Sequence, residues 1–94
     1  RMGSIGSNLS GGHYGYRASK AALNAIGRSL ALDLYERRIT VNMLHPGGVN
    51  TAGGSAAALL TVQESVSAMR ALIARFGNHE TGQLVSYNGQ LLPW

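Results

Sequence analysis

The sequence predicts an α/β protein forming one small, incomplete unit. Three observations carry this. A long helical pattern is followed at once by a short, buried-looking strand. The same helix-then-strand order returns in the second half, and Gly-rich breaks separate the pieces. Helix and apolar strand in alternation is the pattern of a parallel sheet covered by helices. The 94 residues allow one domain at most. Two strands do not make a stable sheet alone, so a completing element is expected: missing sequence, a partner chain or a swapped segment.

Residues 1 to 13 are Gly, Ser, Asn and short apolar residues, which read as a loop. A helix follows from about Tyr14 to Arg37. Its apolar positions Ala21, Ala22, Ala25, Ile26, Leu30 and Leu34 recur at three- and four-residue spacing. Gly27 inside it costs about 1 kcal/mol relative to Ala, which predicts a tight contact there. Arg37 and Arg38 suit the negative end of the helix dipole.

Ile39-Thr-Val-Asn-Met-Leu-His45 begins β-branched and turns apolar, as a buried parallel strand does, and Pro46-Gly47-Gly48 ends it. Asn50 to Leu60 is small and flexible in composition, predicting a mobile loop with a short helical turn. Thr61 and Glu64 stand at capping-box spacing before a second helix, which reaches about Phe76 on Val62, Val66, Met69, Ile73 and Phe76. Gly77 is expected as a left-handed cap. Gln83 to Tyr87 reads as a strand, Asn88-Gly89 as a turn, and Gln90 to Trp94 as an apolar tail.

Composition narrows function. Hydrophobic residues are 45% and charged residues 13%, which excludes disorder. With no Cys there is no disulfide scaffold and no thiolate metal site, and a reducing, cytoplasmic setting is expected. No apolar run reaches the roughly 20 residues of a membrane span, and no signal-peptide pattern opens the chain. The net charge of +4 rests on Arg scattered at positions 1, 17, 28, 37, 38, 70 and 75, without interleaved aromatics. Nucleic-acid binding is therefore not expected. His13, His45 and His79 are too dispersed for a metal. Ser19 has no Asp/His pair to make it a nucleophile.

Tyr16 and Lys20 carry the chemistry. They stand four residues apart at the start of the first helix, on one face. A neighbouring cation favours the phenolate form of a Tyr, so the pair is a way to build an acid/base group at neutral pH. Lys20 is the only Lys in the chain. Tyr16-x-x-x-Lys20 with Ala21-Ala22-Leu23, then Val41-Asn42-Met-Leu-His-Pro46-Gly47-Gly-Val49-Asn-Thr51 and Gly82-Gln-Leu-Val-Ser-Tyr-Asn-Gly89, resembles the short-chain dehydrogenase/reductases. Arg1-Met-Gly-Ser-Ile5, Gly11-Gly12, Tyr14 to Leu23 and Trp94 resemble in particular the sniffer-type carbonyl reductases and the C-factor-like proteins.

The resemblance implies the C-terminal portion of a Rossmann-like, doubly wound parallel sheet. It implies that the N-terminal dinucleotide-binding half is absent and that residues 1–94 form a partial single domain. It also implies NADP or NAD as cofactor and a small-molecule carbonyl substrate. Tyr16 would exchange a proton with the carbonyl oxygen and Lys20 would bond the nicotinamide ribose. Pro46, Gly47, Val49 and Thr51 would hold the nicotinamide, with the Val49 backbone and the Thr51 hydroxyl at the carboxamide. The loop from Asn50 to Leu60 would cover substrate, and the Ala-rich helix would join a homo-oligomer interface.

Two departures accompany these expectations. No Gly-rich turn for a pyrophosphate occurs, and the family's Ser should precede Arg1, leaving Ser4 as the nearest substitute. The 94-residue chain alone is therefore expected to be inactive. Two functions stay open: an oxidoreductase portion that works in an intact enzyme, and a non-catalytic oligomerising half-domain with relic motifs.

Overall fold

The computed structural model describes residues 2–50 and 60–94, with Val49 and Asn50 described in backbone only. In chain order the elements are α1 (Tyr14–Asp33), a 3-10 turn (Tyr35–Arg37), β1 (Met43–His45), β2 (Val49–Asn50), β3 (Leu60–Thr61), α2 (Val62–Arg75) and β4 (Leu84–Ser86). β1 and β4 run parallel, with Met43 opposite Leu84 and His45 opposite Ser86. β2 and β3 form a second parallel pair, Val49 opposite Leu60. The expected α/β class with parallel pairing holds.

α1 starts without a side-chain cap, on a left-handed His13 at φ 53°. Arg17 compensates by folding back over the preceding loop. Its Nε donates to Gly12 O at 3.0 Å and its Nη2 to Ser10 Oγ at 3.1 Å and Gly11 O at 3.3 Å. The helix stops at Asp33, short of the expected Arg37. Arg38 takes a left-handed φ of 59°, and Ile39 N–H reaches back to Leu34 O, a Schellman-like closure. The two arginines therefore lie beyond the helix rather than in its last turn.

The inward stripe of α1 also differs from expectation. Gly27 and Ala31 are buried, while Ile26 and Leu30 are 64% and 45% exposed. Small residues win because α1 lies close on the sheet: a Cβ on Gly27 would overlap the Met43 thioether. The tight contact expected at Gly27 is present.

β1 begins at Met43 rather than Ile39; before it one backbone bond, Gly82 N to Val41 O at 2.7 Å, is joined by side-chain bonds. Thr81 Oγ1 accepts from Val41 N at 2.9 Å and donates to Val41 O at 3.3 Å. Asn42 Oδ1 accepts from Gln83 N at 3.0 Å, and its Nδ2 donates to Glu80 O at 2.6 Å. The expected Asn50–Leu60 loop is paired at both ends, through β2 and β3; its interior lies outside the described residues.

The capping box of α2 is complete. Thr61 Oγ1 accepts from Glu64 N at 3.0 Å and Glu64 Oε1 from Thr61 N at 3.2 Å. The Gly77 cap is not formed: α2 ends on an extended Phe76, and Gly77 N donates to Glu80 Oε1 instead. β4 is buried throughout. The chain then turns at Gly89, φ +89°, and returns antiparallel, with Ser86 N donating to Gln90 O and Leu92 N to Leu84 O.

Among the described residues the buried apolar ones are Ala31, Leu72, Leu84 and Val85. The radius of gyration, 14.1 Å, exceeds the roughly 12 Å of a self-contained domain this size. Among the described residues the fold thus has two parallel strand pairs and two helices but little interior. Among the described residues no helix is long and apolar enough to cross a membrane.

Candidate active site

The first turns of α1 set Tyr16 and Lys20 side by side. Lys20 Nζ lies over the Tyr16 ring, 5.6 Å from its centroid. Both face outward, Tyr16 being 54% exposed. Between them, Ser19 donates its hydroxyl to Tyr16 O at 2.8 Å, so it serves its own helix and not a catalytic relay.

A cleft of about 770 Å³ opens beside the pair. Tyr16 and Lys20 line it from α1, Pro46 and Gly47 from the end of β1. Four of the six expected site residues are thereby brought together from positions 26 or more residues distant along the chain (Lys20 to Pro46). Val49 follows in β2, its backbone paired with Leu60. Thr51 lies outside the described residues.

The turn after β1 is pinned from two sides. Ser65, buried in α2, donates its hydroxyl to Pro46 O at 2.6 Å, and Tyr87 N donates to His45 O at 2.8 Å. Gly47 takes φ +83°, and a Cβ there would stand 2.6 Å from Leu60 Cδ1 and 2.8 Å from the Tyr87 ring. Glycine is needed twice over, for the dihedral and for the space.

Three contributors escaped the reading from sequence. Gly3 lies flat on Lys20; a Cβ there would stand 2.8 Å from Lys20 Cβ. Asn24, one turn beyond Lys20, donates its amide to Gly3 O at 3.3 Å. Ser65 anchors Pro46. Only Ser65 had a legible signal, a polar residue on the same helical stripe as Leu72. Ser4, the nearest substitute for the family's Ser, is buried, and its hydroxyl donates to the Pro93 carbonyl. Among the described residues no three His, Cys, Asp or Glu cluster as metal ligands.

The comparisons with known proteins fit this geometry. The profile of the enoyl-(acyl carrier protein) reductase family matches residues 1–87. The C-signal protein of Myxococcus xanthus is 40% identical over the whole chain, which covers 57% of that protein. The carbonyl reductase Sniffer of D. melanogaster superposes with a TM-score of 0.93 at 44% identity, over 99% of this chain and 38% of its own. An NADPH-bound carbonyl reductase from chicken fatty liver gives 0.88 at 32% identity, over 99% and 39%. The chain thus spans between about two fifths and three fifths of the relatives it matches. With a profile match over nearly all its residues and a close superposition on a carbonyl reductase, this chain belongs to the short-chain dehydrogenase/reductase family.

Proposed function

We propose that this chain supplies the catalytic pair and the nicotinamide-side wall of an NAD(P)H-dependent carbonyl reductase. The observation that carries the proposal is the shared cleft of Tyr16, Lys20, Pro46 and Gly47. It offers a phenol, an ammonium and a pinned glycine turn, a set that fits the nicotinamide and ribose. For the pyrophosphate the chain has no glycine-rich turn leading from strand to helix, so the fit covers half the cofactor.

The cofactor, when bound, supplies the hydride that reduces the carbonyl carbon. Tyr16 gives its hydroxyl proton to the carbonyl oxygen, converting it to an alcohol, and takes a proton back in the reverse direction. The Lys20 ammonium over the ring offsets the charge left on the phenol oxygen. Pro46, Gly47, Val49 and Thr51 would hold the nicotinamide, the turn at Pro46-Gly47 being pinned by Ser65 and Tyr87. The substrate is a small carbonyl compound, and absence of Cys suits a cytoplasmic setting.

A second reading has its own observation. Leu23, Ile26 and Leu30 are exposed along α1, and among the described residues β1 is paired on one edge only. An oligomerising half-domain would cover both.

Reduced nicotinamide mononucleotide, which lacks the adenosine pyrophosphate, separates the two. Titrated into labelled protein, it is expected to shift the Lys20 and Gly47 resonances at millimolar concentration, and Lys20→Met to remove the effect. Silence at both residues up to about 10 mM, equivalent to less than about 3 kcal/mol of binding, would leave the second reading.

A further inference from the structure

We propose that Ser4 and the Pro93–Trp94 tail form a latch that presses the Met2–Gly6 turn onto Lys20 and so positions it.

The tail returns along β4 and delivers two carbonyls to the N-terminal turn. Ser4 Oγ donates to Pro93 O, with Trp94 O 3.4 Å away, and accepts from Ser7 N at 3.2 Å. Ile5 N and Gly6 N both donate to Trp94 O. Ser4 is 1% exposed although its neighbour Ile5 is 76% exposed, so water does not replace these bonds. The turn has a glycine at each contact. Gly6 lies on the tail, where a Cβ would stand 2.9 Å from Pro93 Cβ. Gly3 lies on the helix, where a Cβ would stand 2.8 Å from Lys20 Cβ. Asn24 closes the helix side through its bond to Gly3 O. One rigid piece is therefore bonded to the tail on one flank and packed on Lys20 on the other.

This arrangement gives the Ser4 hydroxyl a structural role. The hydroxyl has Pro93 O, Trp94 O and Ser7 Oγ as acceptors and takes the Ser7 amide, which is the bonding of a structural hydroxyl. The latch is a geometric claim; only the meaning of a positioned Lys20 rests on the proposed reductase chemistry.

The test uses the 94-residue chain, its backbone amide exchange, and the side-chain signals of its single Lys. Ser4→Ala is expected to speed exchange at Ile5, Gly6 and Ser7 by about five- to tenfold. It is expected to move the Lys20 Cε and Asn24 side-chain amide resonances as well. Met43 and Tyr87, whose amides bond across β1 and β4, keep their rates. Deleting Pro93–Trp94 reproduces the same pattern. Unmoved Lys20 and Asn24 signals, or a deletion variant with a different pattern, would overturn the latch. Equal acceleration at Met43 and Tyr87 would overturn it too, since Ser4 would then be a general stability residue. A silent nicotinamide titration leaves this result untouched, so the two proposals fail separately.

Discussion

Ser65→Ala tests whether the turn at Pro46 is held from α2. Ser65 is 1% exposed and donates to Pro46 O at 2.6 Å. Losing such a bond costs about 1.5 kcal/mol when the acceptor is left poorly solvated. The cavity contribution is small because a single oxygen is removed. Ala regains up to about 0.5 kcal/mol in helix propensity. The net is about 1 kcal/mol, and for a domain of this size that lowers Tm by about 4–8 °C. Thermal unfolding followed by circular dichroism, at one fixed protein concentration because association shifts Tm, reads the change. The Gly47 amide resonance should move as well, whereas that of Gly89 should not. An unchanged or raised Tm with a still Gly47 would refute the anchoring role, because the helix-propensity gain would then stand unopposed.

Gly27→Val should destabilise by about 1–3 kcal/mol in a denaturant melt, since it forces a branched side chain into Met43. Gly27→Ala should be milder, the thioether being mobile and Ala a better helix former. Thr61→Ala, which removes the side-chain half of the capping box, should cost about 1 kcal/mol and leave the β1–β4 pairing intact by amide exchange. Leu30→Glu should shift the light-scattering mass toward monomer if the exposed face of α1 meets a second copy; an unchanged mass would rule that face out. In a full-length reductase carrying this segment, Tyr16→Phe should abolish carbonyl reduction with the cofactor still bound, and retained turnover would defeat the acid role of Tyr16.

Features set by neighbours in sequence were legible; those set by distant contacts were not. The capping box at Thr61 and Glu64 and the turn at Asn88-Gly89 involve residues within a few positions, and both stand where the pattern placed them. Tyr16 and Lys20 share a face for the same reason. The inward stripe of α1 was misread because hydrophobicity favours Ile26 and Leu30, whereas close approach of the helix to Met43 selects Gly27 and Ala31. Gly77 failed as a cap because Glu80 satisfied its amide without a left-handed residue. The start of the first strand is flanked by Thr81 and Asn42 side-chain bonds that reach across about 40 positions. The pressing of Gly3 on Lys20 had no local signature at all.

The contact between Ser4 and Pro93 has a kinetic consequence. Ser4 and Pro93 are 89 residues apart, against 41 for the Asn42–Gln83 bond beside the parallel pair. Loop-closure entropy grows by about 0.6 kcal/mol per doubling of length. The Ser4–Pro93 contact should thus be the last piece to settle after the helices and β1–β4 have formed, and the first to leave in partial unfolding. Gly3 would then pack on the base of Lys20 only once residues 2–6 and 93–94 have met, so the Lys20 side-chain signals would report on that contact.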